Sequence, residues 1–471
     1  MKLRKGSEVQ LEIESVAFKG KGVGRVNGMT FFVPGTAPGD TVKARIIKKK
    51  KNYCEAKLLD IVVPSGKRIT PRCRHAHTCG GCTYQHVPYP VQLQIKCEQV
   101  KDHIERIAGL NPDVVGDIIG CDNEFYYRNK MEYSFGTRRW LTTEEIQQEE
   151  YVDDSGFSAG LHAPGRYDKI LDLQECHLQN PISFKLLDVV RSYCKKNDIS
   201  AYDTFNNSGY MRHLVIRNSY NTHDLMVNIV TNSFDEQRIQ ALSNHLQEQF
   251  PEITTIVNNV NDQPNPTAVG RFQKILYGSG TITDKIGKYS FKINPNTFFQ
   301  TNTQQAEKLY DAASELAHIR NGDLIYDLYC GVGTLSIFMS EAAGRVVGIE
   351  IDADAVANAR SNADENSVSN TRFFEGDMKN TFNRELLNQT GMPDCIVIDP
   401  PRSGMHPDVI KQLIELKPSR IVYVSCNPST LARDLKELSE VYHTEVIKPV
   451  DMFPQTYHIE VVTRLSIKSY G

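Results

Sequence analysis

The sequence lacks any long apolar segment. Nowhere in its 471 residues do eighteen apolar residues follow one another, and no apolar stretch follows the basic start MKLRKGSEVQ. A membrane-spanning helix needs about 20 such residues, and a secretory signal needs an apolar core behind its basic residues. We therefore expect a cytoplasmic protein without a membrane span.

Repeats and low-complexity stretches are also missing, which argues against solenoid and disordered proteins. The chain is 40% hydrophobic and 24% charged, as in an ordinary globular protein. At about 100–200 residues per domain, its length predicts two to four domains. Eleven cysteines without a signal segment argue against a disulfide framework and indicate metal-binding or catalytic thiols.

Positive charge is concentrated near the N-terminus. Residues 1–74 contain 17 Lys and Arg but only 6 Asp and Glu, although the whole chain has a net charge of −3. Alternating apolar residues interrupted by Gly and Pro predict the short strands of a small β-barrel. The run Lys48–Lys51 could bind RNA phosphates, while Phe31 and Phe32 could stack on bases. A solvated charge run is the simpler alternative.

A cysteine triplet follows in PRCRHAHTCGGCTYQH. Cys73, Cys79 and Cys82 have C-x5-C-x2-C spacing, and the two glycines before Cys82 let the backbone wrap closely around a bound metal. Three thiolates predict a fourth ligand, for which the candidates are Cys176, His75, His77, His86 and His177. Spacing alone does not distinguish a structural zinc from an iron–sulfur cluster.

The last third of the chain alternates strand and helix. In DLIYDLYCGVGTLSIFMSEAAGRVVGIE, an apolar strand leads into a glycine-rich turn, and the next strand ends at Glu350. Such a turn allows close approach of a cofactor, and an acid at this position can accept both ribose hydroxyls. Asp377 and Asp399 follow two further strands. Polar residues at the ends of successive strands favour an S-adenosylmethionine site in an open parallel sheet.

A thiol occupies the end of the fifth strand, in RIVYVSCNPSTLARDL. Methylation of a nitrogen or oxygen needs no covalent nucleophile, whereas carbon 5 of uracil does. A thiolate that adds to carbon 6 makes carbon 5 nucleophilic, and a base must then remove the carbon 5 proton. Cys426 is the candidate thiolate and Glu460, two residues after His458, the candidate base. A core cysteine and a surface acid are the simpler alternatives.

Motifs along the whole chain resemble those of RNA 5-methyluridine methyltransferases. The resemblance is to the cluster-containing type with an N-terminal TRAM domain, which acts on 23S ribosomal RNA. The matching stretches are CRHAHTCGGCTYQ, NTFFQTNT, DLYCGVGT, DPPRSG, VSCNPSTLARD and HIEVV.

This resemblance implies that Cys426 is the nucleophile and Glu460 the base. It also implies a 4Fe-4S cluster held by Cys73, Cys79, Cys82 and Cys176. The residues that it assigns to S-adenosylmethionine binding or to orienting the uracil are Gln300, Tyr329, Thr334, Glu350, Asp377 and Asp399. Thr301 and Thr334 depart from the residues usual at their positions in the family.

We therefore predict an α/β protein with three domains. A TRAM-like RNA-binding β-barrel occupies residues 1–64, a central α+β domain with the iron–sulfur site residues 65–292, and a Rossmann-like class I methyltransferase domain residues 293–471. We expect a monomer whose partner is RNA, namely 23S rRNA, with tRNA as the alternative. A non-enzymatic iron–sulfur RNA-binding protein is a competing hypothesis, but it leaves Cys426 and Glu460 without a role.

Overall fold

The computed structural model describes residues 3–76, 78–147, 152–166 and 168–468. The chain forms two compact units. The first unit contains Met1–Pro71, Thr83–Glu124 and Gln305–Gly471, and the second unit contains Arg72–Cys82 and Phe125–Gln304. Because both units are built from separate stretches of chain, the division into three consecutive domains stays a prediction. No helix in the described ranges is long and apolar enough to cross a bilayer.

The N-terminal part of the first unit is a six-stranded sheet. Its strand order is β1-β5-β6-β4-β3-β2. Alternate side chains of β1 and β5, among them Leu11 and Val42, face a small apolar core. The β structure predicted for this region is confirmed. The strands are β1 (Glu8–Glu12), β2 (Ser15–Ala17), β3 (Lys21–Val26), β4 (Met29–Pro34), β5 (Thr41–Lys49) and β6 (Tyr53–Val63).

The prediction that Phe31 stacks on RNA bases is wrong. Phe31 is fully buried in the core of this sheet. Phe32, the next residue, points to the opposite face because side chains alternate along a strand. It is half-buried, and its ring lies edge-on to that of Tyr53, with 5.6 Å between the ring centroids. The run Lys48–Lys51, from the end of β5 into the following turn, is exposed.

One long helix, α1 (Tyr89–His103), follows in the first unit. It continues as a wider π-helical turn over Ile104–Ala108 and ends at Gly109. Gly109 has φ +70°, a left-handed conformation that favours glycine at the end of a helix. Val100 and Ile104 are fully buried in the core of the C-terminal sheet, so the helix is an integral part of this unit.

The second unit contains a seven-stranded sheet in the order β13-β12-β11-β10-β7-β8-β9. Two helices pack on it through buried leucines such as Leu186 and Leu242. A separate two-stranded hairpin, β14-β15, completes the unit. In chain order the elements are β7 (Lys130–Arg138), α2 (Thr143–Ile146), β8 (Ser155–His162), β9 (Ile170–Asp172), α3 (Pro181–Lys196), β10 (Met211–Asn218), β11 (Leu225–Thr231), α4 (Glu236–Gln249), β12 (Thr255–Val260), β13 (Phe272–Tyr277), β14 (Ile282–Ile286) and β15 (Tyr289–Ile293).

The C-terminal part of the first unit has the predicted alternation of strands and helices. Its elements are α5 (Thr303–Ala317), β16 (Leu324–Leu328), α6 (Thr334–Met339), β17 (Arg345–Glu350), α7 (Ala353–Glu365), β18 (Thr371–Glu375), α8 (Met378–Thr381), α9 (Arg384–Thr390), β19 (Cys395–Ile398), α10 (Pro407–Leu416), β20 (Arg420–Ser425), α11 (Pro428–Leu438), β21 (Tyr442–Val450) and β22 (Glu460–Ile467).

These strands form one sheet in the order β18-β17-β16-β19-β20-β22-β21. The first five are parallel, and β22 runs antiparallel to β20. Strands β16 and β19 are buried along their whole length, as expected for a parallel sheet covered on both faces. The chain order reverses between β16 and β19, and ligands bind at the carboxyl ends of strands beside such a point.

A buried ion pair joins α1 to the segment between β21 and β22. Lys96 Nζ lies 2.6 Å from Asp451 Oδ1, and neither side chain is exposed to solvent. Lys96 also donates to the carbonyl of Phe453. One turn earlier, the Gln92 side chain exchanges two hydrogen bonds with Gln455, each of 2.9 Å. Helix α1 therefore holds the segment that leads to Glu460.

We expect Lys96→Met to lower the free energy of unfolding by about 3–5 kcal/mol, because it leaves the buried Asp451 carboxylate without its partner. Urea unfolding followed by circular dichroism measures this change. Lys448→Met is the control, since Lys448 pairs with the largely exposed Glu315; its effect should stay below about 1 kcal/mol. Equal effects of the two substitutions would contradict the stabilising role of the buried pair.

Candidate active site

Most of the predicted site residues lie at one edge of the C-terminal sheet. Parallel strands place their carboxyl ends at the same edge, and the antiparallel β22 begins there. Gln300 instead belongs to the second unit, where its carbonyl accepts a 2.8 Å hydrogen bond from the Asn129 side chain. The residues at the sheet edge or in the turns beside it are Tyr329, Thr334, Glu350, Asp377, Asp399, Cys426 and Glu460.

Two glycines shape the turn between β16 and α6. Gly331 has φ +54° and Gly333 φ +77°, and a Cβ atom on Gly333 would lie only 2.9 Å from the ring of Phe373. The carboxylate of Glu350 accepts hydrogen bonds from the N–H groups of Gly331, at 3.1 Å, and of Ile351, at 2.7 Å. The backbone thereby fixes the acid beside the turn.

Asp327 is a buried acid within β16, just before the glycine turn. Its Oδ2 accepts a 2.5 Å hydrogen bond from Ser336, while its buried Oδ1 has no hydrogen-bond partner among the described residues. Burial raises the pKa of Asp327 to about 7, and the charges of Asp399 and Glu350 act in the same direction. A buried acceptor without a partner beside a glycine turn fits the polar donors of S-adenosylmethionine.

The other predicted cofactor residues are held by local contacts. Burial raises the pKa of Tyr329 to about 12, and the charge of Asp377 adds to the shift. Thr334 shares a 2.9 Å hydrogen bond with the hydroxyl of Tyr310, a buried residue that the sequence analysis missed. Asp377 caps α8 by accepting the N–H of Lys379 at 3.2 Å.

The charges of Asp399 and Glu460 both act on the Cys426 thiol, and the charge of Asp399 also acts on Glu460. Burial raises the pKa of Cys426 to about 11, and the negative charges of Glu460 and Asp399 raise it further, against the positive charge of Arg402. Burial likewise raises the pKa of Asp399 to about 7 and that of Glu460 well above its usual range. Only 7% of Glu460 is exposed. These shifts oppose ionisation of both the Cys426 thiol and the Glu460 carboxyl group.

Arg402 is a further residue of this group that the sequence analysis did not assign. Its charge lowers the pKa of both Cys426 and Glu460. Its backbone carbonyl accepts a 3.0 Å hydrogen bond from Asn427, which also caps α11 immediately after Cys426. The start of a helix favours a thiolate as well. The sequence feature that could have identified Arg402 is its position three residues after Asp399, in DPPR.

The four cysteines predicted to hold a cluster all lie in the second unit. Hydrogen bonds bring the segment after Cys73 to the segment before Cys176: the N–H of Arg74 donates to Glu175, and the N–H of Gln174 donates to His75 Nε2, at 2.7 and 3.1 Å. The charges of Cys79 and Cys176 both contribute to the raised pKa of Cys73. These three thiols are therefore near one another.

Two of the sulfurs accept hydrogen bonds from backbone N–H groups. The N–H of His75 donates to Cys73 Sγ at 3.4 Å, and the N–H of Gly81 donates to Cys79 Sγ at 3.3 Å. Such donors are typical of thiolate ligands of iron–sulfur clusters. Nevertheless, within the parts of the chain that the structure describes, no group of three or more His, Cys, Asp or Glu residues is arranged to hold a metal ion. The ligand set and the cluster therefore stay predictions.

The histidines considered as a fourth ligand have other contacts. His75 accepts the hydrogen bond from Gln174. His86 belongs to the first unit, where its ring lies 3.2 Å from the carbonyl of Thr36. His177 Nδ1 lies 2.9 Å from the hydroxyl of Tyr126. His77 lies outside the described residues.

Comparison with known proteins agrees with this architecture. Residues 222–468 match the family described as tRNA (Uracil-5-)-methyltransferase, and residues 2–59 match the TRAM domain. An uncharacterized RNA methyltransferase of Chlorobaculum tepidum is 40% identical over 467 residues, covering 98% of this chain and 97% of the relative. One from Bacteroides thetaiotaomicron is 38% identical over 456 residues, covering 96% of this chain and 100% of the relative.

The crystal structure of Pyrococcus abyssi tRNA (uracil-54, C5)-methyltransferase in complex with S-adenosyl-L-homocysteine is also similar. Its TM-score is 0.75 at 27% sequence identity, and the match covers 97% of this chain and 100% of that one. The similarity in sequence and in fold thus extends over almost the whole of this chain. The chain belongs to the tRNA (uracil-5-)-methyltransferase family of S-adenosylmethionine-dependent RNA methyltransferases, with a TRAM domain in its N-terminal part.

Proposed function

We propose that this chain methylates carbon 5 of a uridine in 23S ribosomal RNA through a covalent adduct between Cys426 and carbon 6 of the base. One observation carries the proposal: a thiol at a strand end interacts electrostatically with two carboxyl groups, those of Asp399 and Glu460. Methyl transfer to nitrogen or oxygen needs neither a thiol nor a base for a carbon-bound proton. Transfer to carbon 5 of uracil needs both.

Cys426 acts as a thiolate. Its sulfur bonds to carbon 6, and the electrons of the carbon 5–carbon 6 double bond move toward the oxygen on carbon 4, which makes carbon 5 nucleophilic. S-adenosylmethionine supplies a methyl group already activated on a positively charged sulfur. Arg402 assists this step, because its positive charge lowers the pKa of the thiol.

Glu460 completes the reaction. After methylation, carbon 5 carries both the methyl group and a proton, and the Glu460 carboxylate removes that proton. The double bond then reforms, the bond between sulfur and carbon 6 breaks, and Cys426 leaves as a thiolate. Burial raises the pKa of Glu460, and a raised pKa makes its carboxylate a stronger base than an exposed glutamate.

We assign cofactor binding to Gln300, Tyr329, Thr334, Glu350 and Asp377, and orientation of the uracil to Asp399. The hydrogen bonds that fix Glu350 beside the glycine turn support a role in holding the ribose. The unpartnered oxygen of Asp327 supports adding this residue to the set. Its position on β16, before the turn, suits a charged amino group of the cofactor.

The RNA substrate that we propose is 23S rRNA. The TRAM match and the cysteine triplet support 23S rRNA, in line with the resemblance noted in the sequence. A tRNA substrate is the second candidate, and the similarity to the Pyrococcus abyssi tRNA (uracil-54, C5)-methyltransferase favours it. Both substrates require the same chemistry at Cys426 and Glu460, so the two candidates differ only in which RNA the chain recognises.

We also propose that Cys73, Cys79, Cys82 and Cys176 hold a 4Fe-4S cluster that stabilises the second unit. The soft thiolate donors fit iron, and the hydrogen bonds from Arg74 and Gln174 to the segments around them support a shared site. A cluster at this position would join two stretches of chain about a hundred residues apart along the sequence. No step of methyl transfer depends on it.

Substitutions of Cys426 and Glu460 should have different effects on an RNA substrate. Cys426→Ala should abolish both the covalent protein–RNA adduct and methyl transfer, because carbon 5 is never activated. Glu460→Gln should still allow attack and methylation, so that a methylated adduct accumulates. Denaturing gels with labelled RNA detect the adduct, and labelled S-adenosylmethionine reports whether it carries the methyl group.

Cys97→Ala is the matched control, because Cys97 is a half-buried thiol in α1 outside the site. It should keep wild-type turnover. Persistent adduct formation by Cys426→Ala would show that another thiol attacks, and Cys330 and Cys395 would then be the residues to test. Wild-type turnover of Glu460→Gln would rule out Glu460 as the base.

Anaerobic purification should yield a brown protein with about four iron atoms per chain. Cys176→Ser should lose the colour and the iron, and it should melt at a lower temperature because the link between the two segments is lost. Cys97→Ser, the control, should keep both. A colourless wild-type protein that contains one zinc ion would contradict the cluster assignment, whatever its methyltransferase activity.

A further inference from the structure

The turn between β2 and β3 of the TRAM domain is fixed against α1 and the segment that precedes it. The Gln99 side chain in α1 donates hydrogen bonds to the carbonyls of Val16 and Ala17, at 2.9 and 3.0 Å. Gly20 has φ +77°, and a Cβ atom there would lie 2.1 Å from a methyl carbon of Thr83. Such close packing leaves the turn little freedom to move.

This turn adds one ring to a cluster of aromatic side chains just before Glu460. Phe18 lies edge-on to Tyr457, with 5.8 Å between the ring centroids, and the rings of Tyr457 and His458 are 4.2 Å apart and inclined by only 31°. We call Phe18, Tyr457 and His458 the aromatic platform. All three side chains are half-buried, so each also has surface that faces solvent.

The platform has a rigid support. Tyr457 packs against a buried apolar cluster that includes Val16 and Tyr84. The backbone two residues earlier is held as well, because the carbonyl of Gln455 accepts hydrogen bonds from the N–H groups of Thr83 and Tyr84 at 2.7 and 3.0 Å. Rings that are held in place bind a partner with little loss of conformational entropy.

We propose that the aromatic platform stacks on a base of single-stranded RNA next to the target uridine. An enzyme that acts on a buried position of a base must take that base out of its stack, and the neighbouring base then loses a stacking partner. Aromatic side chains replace that partner for any base, because every base has a π-face. The platform suits this role because His458 is two residues from Glu460.

An exposed positive charge beside the platform also fits single-stranded RNA. Lys19, beside Phe18, is exposed and can contact the phosphate that follows a stacked base. The inference rests on the proposed function in one respect, namely that the target uridine enters the pocket of Cys426. It goes further in naming the part of the TRAM domain that contacts RNA and the form of RNA that binds there.

A binding experiment without S-adenosylmethionine tests the platform separately from catalysis. The probe is an oligouridylate of about twelve nucleotides with one central 2-aminopurine, whose fluorescence falls when the base stacks on an aromatic ring. Wild-type protein should quench the probe. Phe18→Leu and Tyr457→Leu should quench less and bind about tenfold more weakly, since each removes one stacking surface.

Tyr193→Leu is the matched control. Tyr193 is also a half-buried tyrosine whose ring lies against a histidine, His245, with 4.9 Å between the centroids and an inclination of 32°, but it belongs to the second unit. It should bind and quench like wild type. Equal losses in Tyr193→Leu and Tyr457→Leu, or wild-type quenching in both platform variants, would overturn the inference. Because no methyl transfer is needed, these outcomes do not depend on the roles of Cys426 and Glu460.

Cross-linking of the wild-type protein keeps the inference testable if the leucine variants fold poorly. A 5-iodouridine in place of the 2-aminopurine forms cross-links to aromatic side chains under long-wavelength ultraviolet light. Mass spectrometry should map these cross-links to peptides that contain Phe18, Tyr457 or His458. Cross-links confined to other parts of the chain would contradict the platform.

Discussion

The chemistry of the site depends on the exclusion of water from its acidic groups. Glu460 and Asp327 are almost completely buried at the carboxyl edge of the sheet, and burial raises the pKa of both. A carboxylate in water is a weak base, whereas a desolvated one gains stability when it accepts a proton. The same burial opposes formation of the Cys426 thiolate, and Arg402 and the start of α11 counteract it. The balance between these neighbours sets the protonation of Cys426 and Glu460.

The position of Glu460 in turn depends on N-terminal parts of the chain. Lys96 and Asp451, which are 355 residues apart in sequence, form the buried ion pair that anchors the segment before β22. Gln92 and the TRAM turn hold the same segment at Gln455 and Tyr457. The TRAM domain is therefore part of the same compact unit as the sheet edge that carries Cys426 and Glu460.

Local patterns were sufficient to predict the α/β alternation of the C-terminal part and the polar residues at the ends of β17 and β19. Buried strands are runs of apolar residues, and their ends are visible where the run stops. Contacts distant in sequence were not predictable in this way. Nothing in the sequence pairs Lys96 with Asp451 or shows that Arg402 acts on Cys426. Each of these depends on how separate segments pack.

The most direct test of the central claim is to identify the methylated nucleoside. Wild-type protein is incubated with labelled S-adenosylmethionine and, in parallel, with 23S rRNA and tRNA transcripts, and each RNA is digested to nucleosides. We expect label in 5-methyluridine from the 23S transcript. Label in 5-methyluridine from tRNA alone would contradict the proposed substrate and keep the mechanism, whereas label in any other nucleoside would contradict the roles of Cys426 and Glu460.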